Sequence, residues 1–179
     1  MRPLPTIQAF DAFLKARGLR LDAVVIGGSA LALLGVIDRQ TRDFDILKPD
    51  LAPEVLDAAQ AFARQMRDDG TELGDDWLNN GPSQLVSTLP AGWEARCRPV
   101  FAGDALELTT LGRSDLLKTK LFALCDRGTD LADCIALSPT QAELTDAQAW
   151  VTTQDANELW PAHVAEVFDD LRGRLGHGV

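Results

Sequence analysis

The chain has 179 residues, 46% of them hydrophobic and 25% charged, with a formal net charge of −10. That composition suits a soluble globular protein with enough apolar material for one core and a helical extension. The acidic excess counts against a broad nucleic-acid binder, which normally carries a basic patch, but leaves room for a local basic pocket around a nucleotide.

Cys97, Cys125 and Cys134 are odd in number and lack metal-ligand spacing, which argues against a disulfide framework or zinc site. His163 and His177 are the only histidines, too few for a histidine-based triad with its partners upstream. The longest apolar run, residues 23–37, is broken by Gly27, Gly28, Ser29 and Gly35 and is too short to cross a bilayer. The first residues lead into a helix-like pattern rather than a secretory segment. A cytoplasmic protein with no membrane partner is expected.

Residues 6–17 carry Ile7, Phe10, Phe13 and Leu14 at helical spacing, with Thr6 as cap and Gly18 as stop. Residues 23–26 form a short β-branched run that reads as a buried strand. Gly27-Gly28-Ser29 breaks it, and residues 30–34 resume as a short helix ending at Gly35. Residues 42–47 alternate charged and apolar side chains, a second strand stopped by Pro49. Residues 53–67 read as a helix with Pro53 in its first turn and Val55, Leu56, Ala59 and Phe62 inward. Residues 75–93 hold Asn79-Asn80-Gly81-Pro82, Pro90 and Gly92, so loops dominate there.

A hairpin is expected from residues 97–101 and 105–109 around Gly103-Asp104. Helices follow over 114–127, 130–137, 140–150 and 161–175. The order predicts an α+β fold: a short mixed sheet with flanking helices over residues 1–111, and a helical part over 112–179 packed on it as one compact unit.

The chemistry concentrates in two stretches. In Arg39-Gln-Thr-Arg-Asp-Phe-Asp-Ile46, alternation along a strand puts Asp43 and Asp45 on one side and Phe44 and Ile46 on the other. Two neighbouring carboxylates repel unless a divalent cation sits between them, and hard oxygen ligands suit Mg2+ or Mn2+. Upstream, the Gly27-Gly28-Ser29 turn lets backbone N–H groups approach phosphate oxygens. Either feature alone is commonly a tight turn or a solvated strand edge. Together and in this order they equip the chain for metal-assisted phosphoryl or nucleotidyl transfer. Arg39 and Arg42 flank the aspartates; they either contact phosphate or pair with the carboxylates.

Farther on, Lys120 borders an apolar helical stripe with Leu117 and Leu124. It therefore either binds an anion or snorkels to solvent. Asp130 and Asp133 have a helix-capping reading of their own. The tryptophans and phenylalanines read as packing groups rather than base-stacking ones.

Gly-Gly-Ser followed by Arg-x-Thr-x-Asp-x-Asp-Ile resembles the nucleotidyltransferase superfamily of the DNA polymerase β type. More closely it is similar to the branch holding the AbiEii and MenT toxin-like proteins and the DUF6036 family. Trp77-Leu-Asn-Asn-Gly-Pro82 resembles DUF6036, and Lys120-x-x-Ala-x-x-x-Arg127 followed by Asp130-x-x-Asp133 is similar to a second family block.

The resemblance implies transfer of a nucleoside monophosphate from an NTP to an acceptor: tRNA, a protein or a small molecule. A cognate toxin or antitoxin partner is also implied. Gly27, Gly28, Ser29, Arg42 and Lys120 would bind the nucleotide; Asp43, Asp45, Lys120 and Asp130 would be catalytic. Mg2+ or Mn2+ would lie on Asp43 and Asp45, with Glu107 the strand candidate for a third carboxylate. The rival implied function is a catalytically inactive nucleotide- or partner-binding module on the same fold.

Overall fold

A computed structural model describes residues 1–177 and divides them between two compact units, Met1–Leu111 and the segment that begins at Gly112. In the first unit the elements run α1 (Pro3–Ala16), β1 (Leu21–Ile26), α2 (Gly27–Leu33), β2 (Phe44–Lys48), α3 (Pro53–Asp68), β3 (Leu78–Asn79), β4 (Arg98–Ala102) and β5 (Leu106–Thr110). Short 3-10 turns at Ser83–Ser87 and Glu94–Arg96 fill the long connection before β4. The five strands form one mixed sheet in the order β3-β2-β1-β5-β4. The central β1 runs parallel to β5 and antiparallel to β2, and β4 and β5 make the expected antiparallel hairpin.

Alternation sorts the strands' side chains. Leu21, Ala23 and Val25 of β1, Phe44 and Ile46 of β2, and Leu106 and Leu108 of β5 are buried with Ile7, Phe10 and Leu14 of α1 and Val55, Ala59 and Phe62 of α3. An aromatic group joins these layers: Trp77 meets Phe10 edge-on at 5.0 Å between ring centroids and Phe44 at 5.9 Å. Its Nε1–H donates to the Ala59 carbonyl at 3.0 Å, which settles the one polar atom carried into the core. On the opposite sheet face, Asp22 and Glu107 are exposed, and Val24, Asp45 and Thr109 are half-buried.

Three boundaries differ from expectation for local reasons. Helix α1 begins at Pro3, because prolines cost nothing in a first turn whose N–H groups have no partner; Thr6 lies inside the helix and its hydroxyl donates to the Arg2 carbonyl at 2.8 Å. Helix α2 starts at Gly27, straight off β1, so the glycine pair opens the helix instead of separating it from the strand. Strand β2 begins at Phe44, which leaves Asp43 just ahead of it. A two-residue strand, β3, also sits in the stretch expected to be loop.

The second unit holds α4 (Arg113–Arg127), α5 (Leu131–Ala136), α6 (Gln141–Val151) and α7 (Trp160–Leu175). Helix α6 opens with a reciprocal capping box between Thr140 and Glu143. The Arg113 guanidinium and the Thr140 N–H hold the Glu143 carboxyl down at about 2. Phe122 packs against both Trp150 and Trp160, at 6.3 and 6.1 Å between centroids. Among the described residues no helix is long and apolar enough to cross a membrane.

Candidate active site

Asp45 lies opposite Ile26, the last residue of β1, and beside Asn79 of β3. The chain leaves β1 through Gly27 at φ +76°, a left-handed conformation that L side chains rarely adopt. A Cβ there would stand 2.5 Å from Asp45 Oδ2. The glycine thus meets two demands at once, the turn into α2 and the space the carboxylate occupies.

Ser29 is 1% exposed, and its hydroxyl is committed to the protein. It donates to the Asp43 carbonyl, and Thr41 Oγ1 lies 3.2 Å away. Because a serine hydroxyl has one proton, Thr41 is the donor in the second contact. Ser29 therefore pins the segment that delivers Asp43, and only its backbone N–H remains to meet a ligand. Thr41 is fixed further by Met1: its N–H donates to the Met1 carbonyl at 3.0 Å, and its own carbonyl accepts from the Met1 amino group at 2.8 Å.

The far end of β2 is held by Asn80, whose amide nitrogen donates to the carbonyls of Ile46 and Pro49 while its oxygen accepts from the Leu51 N–H. Motif residues Trp77 and Asn80 thus act as supports for the strand that carries Asp45. Asn79 is the motif residue that stands next to the carboxylate itself. Thr41 and Asn80 both stand in the motifs quoted from the sequence, but their supporting roles are not legible there. A hydroxyl two positions before Asp43 hints at the first, and nothing local shows what the second will bind.

Asp43 and Asp45 are both half-buried, on either side of the fully buried Phe44. Arg42 points away from this core: its side chain is 85% exposed and reaches Asp76 at 3.6 Å. Glu107 is not brought to the pair. It is level with Asp22 on β1, four residues from Ile26, and on the strand beyond. Among the described residues no group of three or more His, Cys, Asp or Glu side chains stands ready to hold a metal ion.

In the second unit Lys120 is 6% exposed. Its ammonium donates to Asp130 Oδ1 at 2.7 Å and Asp133 Oδ2 at 2.8 Å. Burial pushes its pKa down, but the hydrogen bonds and charges of the two aspartates outweigh that and raise it above the ordinary value. The lysine does not snorkel to solvent; two carboxylates of the protein meet its charge. Asp130 occupies the N-cap position of α5 without a side-chain cap bond; its carboxylate is engaged by Lys120, and at 3.3 Å by Arg127. The neighbouring Cys134 thiol is pushed up to about 12, by burial first and then by the charge of Asp130.

A central strand passing through a glycine turn into a short helix, with an Asp-x-Asp segment delivered beside it on a mixed sheet, is consistent with a nucleotidyltransferase-like fold. A family model described as a nucleotidyltransferase of unknown function (DUF6036) matches residues 4–140. The chain belongs to that family. No curated protein and no solved structure matches it.

Proposed function

We propose that the protein transfers a nucleoside monophosphate from an NTP to an acceptor hydroxyl, releasing pyrophosphate, with Asp43 and Asp45 at the reacting centre. The observation that carries this reading is the space at Gly27, which a Cβ would fill and the Asp45 carboxylate occupies instead. Two carboxylates suit Mg2+ or Mn2+, because such an ion takes one or two carboxylates from the protein and fills its remaining positions with substrate phosphates and water. Asp43 and Asp45 would hold it, and when bound it would supply positive charge against the phosphate oxygens.

The chain's own part is positional. The Ser29 and Thr41 hydrogen bonds fix the Asp43 segment before any ligand arrives, and the first N–H groups of α2, which have no partner within the helix, can donate to phosphate oxygens. Lys120 and Asp130 enter the proposal through the family motif; their geometry supports a permanently charged ammonium held between carboxylates. The acceptor stays open among tRNA, protein and small molecule, and a toxin–antitoxin association belongs to the same proposal.

A second reading, a non-catalytic nucleotide-binding module, is favoured by the lack of a third metal carboxylate among the described residues. One experiment separates the two. NTP affinity is measured with and without Mg2+ or Mn2+ for wild type and Asp45→Asn, followed by transfer from α-labelled NTP in cell extract. The enzyme reading expects metal-enhanced binding that Asp45→Asn abolishes, together with labelled product. Equal metal enhancement in the variant sinks the assigned site, and binding without any transfer favours the module.

A further inference from the structure

The helical unit contains a cavity in which Lys120 takes no part. It measures about 560 Å³, within the range of small-molecule pockets, and it is lined from α4, α5, α7 and the turn that ends α4. Helical periodicity accounts for one wall. His163, Glu166, Val167 and Asp170 stand at i, i+3, i+4 and i+7 of α7 and share one stripe, while Trp160, Val164, Phe168 and Leu171 form the buried stripe. The end of α4 supplies another wall. Gly128 closes that helix at φ +71°, and a Cβ there would meet nothing within 4 Å.

The lining is divided in character. Leu124, Leu131 and Val167 give it apolar surface; its charged residues are Asp126, Glu166, Asp170 and the cation Arg127. Arg127 is drawn to Asp130 at 3.3 Å, and Asp170 is engaged by Arg174 at 2.7 Å. Asp126 and Glu166 are exposed and form no ion pair among the described residues, so the charge left over is negative. The helix end adds to it, because the last carbonyls of α4 lack partners within the helix and carry the negative end of its dipole. The Leu124 carbonyl accepts from the Gly128 N–H, and the Cys125 carbonyl accepts from His163 Nε2 at 2.8 Å. That leaves the carbonyls of Asp126 and Arg127 to a ligand or to water.

We propose that this cavity binds a small organic cation, a primary ammonium carried on an apolar body. The proposal does not rest on the nucleotidyl-transfer reading. Other occupants fit less well. A bare metal ion would leave the leucines and the valine uncovered, and an anion would meet Asp126, Glu166 and the helix end. A neutral apolar molecule would strip water from those groups and return no hydrogen bond. An ammonium brings three N–H donors to carboxylate and carbonyl oxygens, while its apolar body covers the leucines. The chain's net charge of −10 also favours the approach of a cation.

The test uses the full chain at neutral pH with phenethylamine, phenethyl alcohol, hydrocinnamate and methylammonium. The first three share an aryl-alkyl body and differ in charge; the last keeps the charge and loses the body. Each is titrated by calorimetry and followed in amide NMR spectra. Phenethylamine should bind and shift the amides of Gly128, Leu131 and Val167. The alcohol and methylammonium should each bind more weakly by about fivefold or more, and hydrocinnamate should not bind. Glu166→Gln should weaken phenethylamine about two- to fivefold, the size of one exposed charge contact. Glu166→Lys should weaken it further, and Val167→Trp, which fills the apolar side, should remove binding. Glu166 is exposed, so neither of its variants should move the melting temperature by more than about 2 °C. Those variants decide the matter if Val167→Trp does not fold.

Equal binding of the amine and the alcohol, or amine binding unmoved by Glu166→Lys, overturns the proposal, because the charge would then go unrecognised. Methylammonium binding as tightly as phenethylamine overturns it from the apolar side. Amide shifts confined to the Asp43–Asp45 segment overturn it as well, since the amine would then be answering another pair of acids. So does a wild type that binds no phenethylamine at about 10 mM, where even a weak small-molecule contact registers.

Discussion

Lys120 and Asp45 both sit on regular elements among apolar neighbours, but they are closed off from solvent to different degrees. Lys120 is closed in, and its ammonium is answered by Asp130 and Asp133 within the same helical unit. Asp45 is half-buried, at the edge of a glycine turn, in a segment whose backbone is fastened by Ser29 and Thr41. A buried charge answered inside the protein is committed to the fold. A half-buried carboxylate on a pinned backbone stays within reach of solvent, and under the proposed function it is where ligand would meet protein. The two regions should therefore fail differently when altered, one in stability and the other in binding.

The largest effect is expected from Lys120→Ala. It leaves Asp133, 3% exposed, and Asp130 facing each other without their shared cation, and removing one partner of a buried pair costs about 3–5 kcal/mol. Urea unfolding should show that loss in the midpoint. Lys118→Ala, which removes a pair with the exposed Asp146, should cost less. A Lys120→Ala protein as stable as wild type would show that the cluster is not closed, and the contrast with Asp45 would collapse. Activity measurements on Lys120 variants mean little until that stability is known, because a folding defect would imitate a catalytic one.

Gly27→Ala comes next and sharpens the other side. The left-handed backbone alone strains an alanine there, by about 1–3 kcal/mol, and its Cβ would collide with Asp45 Oδ2 at 2.5 Å. The carboxylate must swing away, so metal-enhanced NTP binding should fall by more than the stability loss explains. Calorimetric titration at a temperature well below the melting transition checks this. Unchanged binding in a destabilised Gly27→Ala would mean that Asp45 is not where ligand meets protein.

What could be foreseen divides along physical lines. Long periodic segments such as α3 and α4, and the β4–β5 hairpin around Gly103-Asp104, announce themselves through spacing and turn residues. The sheet's second edge does not: β3 is two residues long and exists because Phe44 N–H finds the Trp77 carbonyl, a pairing set by distant chain. Alternation correctly separates Asp45 from Phe44 and Ile46, but it cannot tell where strand pairing begins, so Asp43 falls just outside β2. The desolvation of Lys120 is readable from its helical neighbours. Its partners lie ten and thirteen positions on, across the break after α4, and the family block that holds all three does not show that they pair. The resemblance singles out Arg42 of the two flanking arginines, and no local pattern shows that its side chain turns outward to Asp76.

The smallest effect is expected from Glu107→Gln, and its smallness is informative. Glu107 shares its sheet face with Asp45, which makes it the natural strand candidate for a third carboxylate. Register places it elsewhere: it pairs with Asp22, whereas Asp45 pairs with Ile26, four residues along β1. At about 3.3 Å per residue that is about 13 Å along the sheet, and β5 and β2 lie on opposite sides of β1, about 9.6 Å apart. Ligands of one Mg2+ reach it at about 2.1 Å, so one ion cannot serve both carboxylates across that separation. Glu107 is also exposed, so its substitution should change stability by no more than about 0.5 kcal/mol. Metal-enhanced NTP affinity of Glu107→Gln should match wild type, measured beside Asp45→Asn in the same titration. A Glu107→Gln protein that loses metal enhancement as Asp45→Asn does would require a β5 register different from the one described, and would move the reacting centre toward the middle of the sheet.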